Sequence, residues 1–373
     1  MSGAEDSRLV RTFVELARIP SPSFQEGRVA EYLVRALSQA GCDVRVDDSA
    51  AQTGSDTGNV IAVLPGDPAC ATVALSAHMD TVEPAFGVEP VVRDGRVFSA
   101  GDTVLGADDK VGIAVALEAV RTVVEDRLPH GDIVCVFTVG EEKGLVGAKA
   151  LDLDDLRADV CLVLDADGTP GGIVVGSPTH YTFKATFRGR AAHAGVEPER
   201  GVSALLAAAR AVTTMPHGRL DDETTANVGS IEGGSATNVV PDRVDITGEC
   251  RSRDGDKVER VRVRMTDAMR SAAEQTGAEV EVDWTKEYEA VTFDEGDPAL
   301  EMIEAALRDA GVEPVRVVTG GGSDANVLFE KGLPAVALAT GVEGFHTTEE
   351  SVAVEDMRAL LKIVLAVIAR AAG

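Results

Sequence analysis

Thr72-Val73-Ala74-Leu75-Ser76-Ala77-His78-Met79-Asp80 decides the fold class: it is a short, β-branched and apolar run that stops abruptly in polar residues. Similar runs occupy residues 59–64, 132–139 and 160–164. A strand with one wet face alternates apolar and polar residues, whereas these are apolar almost throughout, so both faces of their sheet must be covered. Helical periodicity supplies the cover. It appears around Leu9, Val10, Phe13 and Leu16, again around Val29, Leu33 and Leu37 after the break at Pro20-Ser21-Pro22, and over residues 110–124. Apolar strands interleaved with helices predict a largely parallel α/β sheet.

Further along, the rhythm changes. Strand 182–188, helix 202–215, strands 225–231 and 243–251, helix 256–276 and strand 279–283 spell βαββαβ, the ferredoxin-like unit. Helix 299–310, strands 315–319 and 335–339 and helix 354–370 then resume the α/β pattern. Two domains are therefore expected, in keeping with 373 residues. One is a discontinuous α/β domain of residues 1–178 and 291–373, and the other is an inserted domain of residues 179–290.

The balance of 35 basic against 62 acidic residues gives a net charge of -27, which repels nucleic acid and anionic lipid surfaces. Neither nucleic acid nor a membrane is an expected partner. Cys42, Cys70, Cys135, Cys161 and Cys250 are scattered without C-x-x-C spacing and fit reduced thiols. Met1-Ser2-Gly3-Ala4-Glu5-Asp6 has neither the basic nor the apolar part of a secretion signal, and no long apolar run follows, so a cytoplasmic location is expected.

Polar clusters follow the apolar runs, where strands of an open α/β sheet end and ligands bind. They are His78-Met79-Asp80-Thr81, Gly106-Ala107-Asp108-Asp109-Lys110, Gly140-Glu141-Glu142-Lys143 and Asp165-Ala166-Asp167-Gly168, with Gly344-Phe345-His346-Thr347 late in the chain. Imidazoles and carboxylates without thiolates suit Zn²⁺, Mn²⁺ or Co²⁺ rather than a Cys-rich structural zinc site. In an extended His78-Met79-Asp80 the two polar side chains share a face, so Asp80 can hold the second imidazole nitrogen. Glu141 and Glu142 divide naturally into one metal ligand and one base. Alone, a His-x-Asp is more often an ordinary core or surface histidine, and a Glu-Glu pair a solvated one. The order and spacing of all five clusters is what points to a site.

That joint pattern, with the inserted ferredoxin-like domain, resembles the M20 metallopeptidases over nearly the whole chain. The resemblance implies a zinc-peptidase-like catalytic α/β domain, an inserted lid and dimerisation domain, and two divalent ions, zinc first with manganese or cobalt as alternatives. It implies that His78, Asp108 and Asp165 hold one ion and His346, Asp108 and Glu142 the other, with Asp108 bridging. By the same resemblance Glu141 is the general acid/base, Asp80 orients His78, and the bond between Asp108 and Asp109 is cis. Asp167 competes with Asp165, since Asp-Ala-Asp-Gly is also ordinary turn chemistry.

Arg190-Ala191-Ala192-His193-Ala194-Gly195 resembles the family segment whose histidine stabilises the oxyanion, which assigns that role to His193. Residues 235–241 and 320–326 resemble segments lining the substrate cleft, with Asn238, Ser323, Asp324 and Asn326 as candidate contacts. Glu350, four residues after His346, is expected to support that histidine. The Gly320-Gly321-Gly322-Ser323-Asp324-Ala325 run with His346-Thr347-Thr348-Glu349-Glu350 draws the resemblance toward the peptidase T-like subgroup. An aminopeptidase acting on short peptides such as tripeptides is therefore expected, and the resemblance also allows a homodimer. Two other readings are an N-acyl amino-acid deacylase or dipeptidase on the same site, and an inactive M20-like binding protein. The glycine run also loosely fits G-x-G-x-x-A of dinucleotide-binding proteins, but that reading leaves the acidic clusters unexplained.

Overall fold

In the computed structural model, which describes residues 7–153 and 156–373, the chain divides into two units. The first runs up to Val175 and resumes at Phe293–Val318 and Ser323–Gly373; the second is Gly176–Thr292 with Thr319–Gly322. That last segment, which the sequence assigns to the α/β domain, joins the second unit through Thr319 N donating to Gly176 O at 2.9 Å.

The first unit is built on parallel strands in the order Ile133–Thr138, Val73–His78, Val160–Ala166, Ala335–Ala339. Val60–Leu64 and Asp43–Val46 extend one side in antiparallel fashion. Val73–His78 and Ile133–Thr138 are buried at every position, as strands covered on both faces must be. Arg8–Ala17 turns Leu9, Val10, Phe13, Leu16 and Ala17 inward on one stripe. Helix Ala107–Asp126 is buried around most of its circumference, with Val111, Ile113, Ala114, Val115, Leu117 and Val120 inside the core. Burying each such Val, Leu or Ile contributes roughly 1.5–3 kcal/mol. This packing fixes the strand ends from which the site is made.

Several elements go beyond the sequence reading. Gly172–Ser177 is a strand, and Pro90–Arg93 and Arg96–Ser99 form a hairpin. That hairpin pairs with Ser351–Ala353, which pairs in turn with Val342–Glu343. The resulting small sheet presents the loop that carries His346. Asp324–Glu330 is a short helix to which the sequence reading assigned no element.

The second unit has the expected strand–helix–strand–strand–helix–strand order, with one short strand, Gly218–Arg219, added after the first helix. Its antiparallel sheet runs Gly218–Arg219, Thr224–Gly233, Arg243–Ser252, Thr179–Arg188, Glu279–Tyr288. Helices Ala204–Thr214 and Gly255–Thr276 close its core, in which Ala207, Ala211, Met265 and Met269 meet Phe183, Phe187 and Ile246.

Candidate metal centre

The chain brings His78, Asp108 and Asp165 together, and also Asp108, Glu142 and His346, so that one carboxylate belongs to both groups. Asp108 Oδ1 lies 3.1 Å from His78 Nε2, and its Oδ2 lies 3.2 Å from His346 Nε2. Asp165 Oδ1 stands 3.9 Å from the same His78 nitrogen, and Glu142 Oε1 3.0 Å from that of His346. Each oxygen of Asp108 thus faces a different imidazole. His78 ends its strand, Asp108 begins the long buried helix, and Asp165 is near the end of the neighbouring strand. Asp167 is exposed and belongs to neither group.

The imidazole of His78 fixes its own tautomer. Nδ1 lies 2.9 Å from the Asp80 carbonyl oxygen, which can only accept, so Nδ1 carries a proton. In the neutral ring the Nε2 lone pair then points at carboxylate oxygens, an arrangement that needs a proton or a cation between them. Asp108, Asp165, Glu141 and Glu142 together supply up to four negative charges, which two divalent ions would balance. Donor type, tautomer and charge all fit a pair of such ions.

The electrostatics describe the same crowding. Burial, followed by the charge of Asp108, pushes Asp165 well above the usual carboxylate range. Glu141 moves the same way, first through burial and then through Asp324, Glu142 and Asp80. Burial opposes a charged His78, yet Asp108, Asp80 and Asp165 outweigh it and raise its pKa. His346 is pushed up to about 10 by its bonds to Asp108 and Glu142. Its backbone has φ 60, in the left-handed region, where a residue other than glycine costs roughly 1–3 kcal/mol.

Supporting contacts correct several sequence expectations. Asp80 holds the His78 ring chiefly through its backbone carbonyl, its carboxylate standing off at 3.4 Å. That carboxylate instead accepts Ser23 Oγ at 2.7 Å and the amides of Glu141 at 2.9 Å and Glu142 at 3.3 Å. Glu350 accepts Gly106 N at 2.7 Å and Asp108 N at 2.8 Å, so it braces the Asp108 turn rather than His346. Asp109 is turned away from the centre, accepting His78 N and Gly112 N, and its bond to Asp108 is cis as expected. Lys110 is buried with Nζ donating to Ile19 O at 2.7 Å, and burial depresses its pKa to about 7.

Of the four expected substrate contacts, Ser323, Asp324 and Asn326 lie in the first unit and Asn238 in the second. Ser323 and Asn326 form a capping box at the start of helix Asp324–Glu330, which commits their side chains to the backbone. Asp324 is buried, accepts Thr138 Oγ1 through Oδ2, and keeps Oδ1 without a hydrogen bond. Burial raises its pKa to about 6. Asn238 and His193 lie together in the second unit, both exposed, with Ala194 N donating to Asn238 O at 2.9 Å.

Comparison with known proteins adds to this geometry. The sequence profile of peptidase family M20/M25/M40 matches residues 74–370. An uncharacterized protein, YqjE of Bacillus subtilis, is 42% identical over 367 residues, 98% of this chain and 99% of its own. The crystal structure of aminopeptidase PepT from Bacillus cereus superposes with a TM-score of 0.90 at 42% identity, covering 98% of both chains. That of a tripeptidase from Staphylococcus aureus gives 0.94 at 37% identity, again over 98% of each.

Proposed function

This chain belongs to peptidase family M20/M25/M40, and from that membership we propose that it is a dinuclear metal-dependent aminopeptidase of short peptides, tripeptides among them. The observation that carries the reading is Asp108, whose two oxygens face His78 and His346, with Glu141 beside Glu142 next to it. The likeness to an aminopeptidase and a tripeptidase over almost the full chain supports the substrate class. Nitrogen and carboxylate donors without thiolate suit Zn²⁺, Mn²⁺ or Co²⁺, and zinc is the ion proposed first. No helix among the described residues is long and apolar enough to cross a membrane, and we place the protein in the cytoplasm.

His78, Asp108 and Asp165 would hold one ion, and Asp108, Glu142 and His346 the other. Two ions held there would supply Lewis-acid chemistry, polarising the scissile carbonyl and lowering the pKa of an attacking water toward about 7. Glu141 takes the proton of that water and delivers it to the leaving amine nitrogen, so the same carboxylate serves as base and then as acid. Asp80 keeps Glu141 in place by accepting its amide.

His193 is proposed as a donor to the carbonyl oxygen as it gains charge. Its replacement by alanine is expected to lower kcat by about 10²–10³-fold with metal content unchanged. Steady-state kinetics beside elemental analysis checks this, and an unaltered kcat removes His193 from the reaction.

The central experiment strips the protein of metal, restores Zn²⁺, Mn²⁺ or Co²⁺, and offers di-, tri- and N-acetylated peptides. Release of the N-terminal residue from free peptides, dependent on metal, is the expected result. Cleavage of acylated substrates alone makes the protein a deacylase. Retention of Glu141 within the cluster favours an enzyme over an inactive binding protein, which would bind metal and turn over nothing.

A further inference from the structure

The turn bearing Glu141 and Glu142 is held by its amides. Val139 N donates to Asn59 Oδ1 at 3.1 Å, Gly140 N to Glu26 Oε1 at 2.9 Å, and Glu141 N to Asp80 Oδ1 at 2.9 Å. Asn59, Glu26 and Asp80 are wholly buried, so no water competes for these bonds. Asp80 and Asn59 sit beside the turn, with Asn59 Nδ2 also closing it from the far end at Gly147 O, 3.0 Å. Glu26 reaches it from a distant part of the chain. It ends the loop that breaks the first two helices, and no motif marked it.

Both oxygens of Glu26 are engaged. Oε1 also takes Phe24 N at 2.9 Å, and Oε2 takes Ser55 Oγ at 2.6 Å. The Phe24 ring lies against Gly140, whose φ of 59 admits glycine easily; a Cβ there would meet Phe24 Cε1 at 3.2 Å and Val146 Cγ2 at 2.5 Å. Gly140 is therefore packed on one side, its amide is tied by the bond to Glu26 while its carbonyl accepts Lys143 N and Val146 N, and the residue after it is Glu141.

We propose that Glu26 is a positioning residue for the general base: its carboxylate fixes Gly140 and so sets where the Glu141 side chain points. The inference rests on Glu141 being that base. It concerns the reach of an oxygen rather than a charge. Glutamine keeps one oxygen at Oε1 for the Phe24 and Gly140 amides, while its NH₂ can donate to Ser55 Oγ, which accepts as readily as it donates. Aspartate keeps the charge but falls one methylene short.

The test compares Glu26→Gln, Glu26→Asp and Glu26→Ala in the full chain by tripeptide kinetics, metal content, and hydrogen exchange of the segment 139–145 followed by mass spectrometry. The expected result is that Gln stays within a few-fold of the parent. Asp and Ala should lose up to about 100-fold in kcat, the effect of roughly 1 Å of misplacement, at unchanged KM and metal content. Exchange in 139–145 should quicken for Asp and Ala alone. Equal kcat in all three variants, or a loss in Gln as large as in Ala, overturns the proposal. A loss in step with metal content also overturns it. If the parent cleaves no peptide, the aminopeptidase reading fails by itself. The exchange pattern then decides whether Glu26 holds the turn, and unchanged exchange in Ala shows that it does not.

Discussion

Replacing Glu141 with alanine lowers kcat for a tripeptide by roughly 10²–10⁴-fold, the range of a lost general base, and leaves the metal content of the chain as it was. The second half of that expectation follows from the geometry. Neither His78–Asp108–Asp165 nor Asp108–Glu142–His346 includes Glu141. A third grouping, His78 with Glu141 and Glu142, does include it and makes the competing outcome concrete. If the variant loses metal along with activity, Glu141 is a ligand and the assignment of base fails. Glu141→Gln separates shape from chemistry, because the amide fills the same space and cannot take a proton from water. Stability gives a further check. Glu141 is held well above the usual carboxylate range by burial and by the neighbouring Asp324, Glu142 and Asp80, so its charge is unwelcome without cations. Metal-free Glu141→Gln should therefore melt no lower than the metal-free parent in a thermal scan. A marked fall would mean that the side chain is structural.

The parts of this site that the sequence revealed are those that obey local rules. Polar residues placed just after continuous apolar runs, as in Leu75-Ser76-Ala77-His78, announce strand ends, and strand ends of an open sheet are where ligands gather. The order of the clusters then made a family resemblance specific. What stayed hidden was the bracing. Glu26 and Gly140 are separated by 114 positions, and Gly106 and Glu350 by 244. Each such contact joins a side chain to a backbone amide, a group that every residue but proline carries and that leaves no trace in sequence. The same blindness explains Asp80: spacing brought its side chain to the face of His78, but the nearby amides of Glu141 and Glu142 compete for the carboxylate. Helix Asp324–Glu330 escaped for a different reason. Seven residues are too few to establish a helical period. Ser323 and Asn326 were legible as polar and close together. Their mutual capping turned out to be the use made of that polarity.

Asp108→Ala should remove both ions, whereas His78→Ala and His346→Ala should each weaken chiefly one. Asp108 is the residue common to the two groups, and its loss takes each from three candidate ligands to two. The expected fall in metal affinity exceeds the roughly 10–100-fold typical of losing an outer-shell partner, and activity goes with it. Elemental analysis after gel filtration, with isothermal titration of Zn²⁺ into the stripped protein, measures the stoichiometry directly. Asp109→Asn is the informative control. It is adjacent, also a carboxylate and also buried, but its oxygens accept the amides of His78 and Gly112, bonds that an asparagine oxygen can partly retain. Two ions kept in Asp109→Asn and lost in Asp108→Ala would separate the bridge from the surrounding negative charge. Equal losses in both would mean that the field of the whole acidic cluster, rather than one carboxylate facing two imidazoles, is what attracts metal, and the two-site assignment would have to be abandoned. Geometry favours the bridge, because Asp108 has one oxygen within 3.1 Å of His78 Nε2 and the other within 3.2 Å of His346 Nε2. A diffuse field would need neither match.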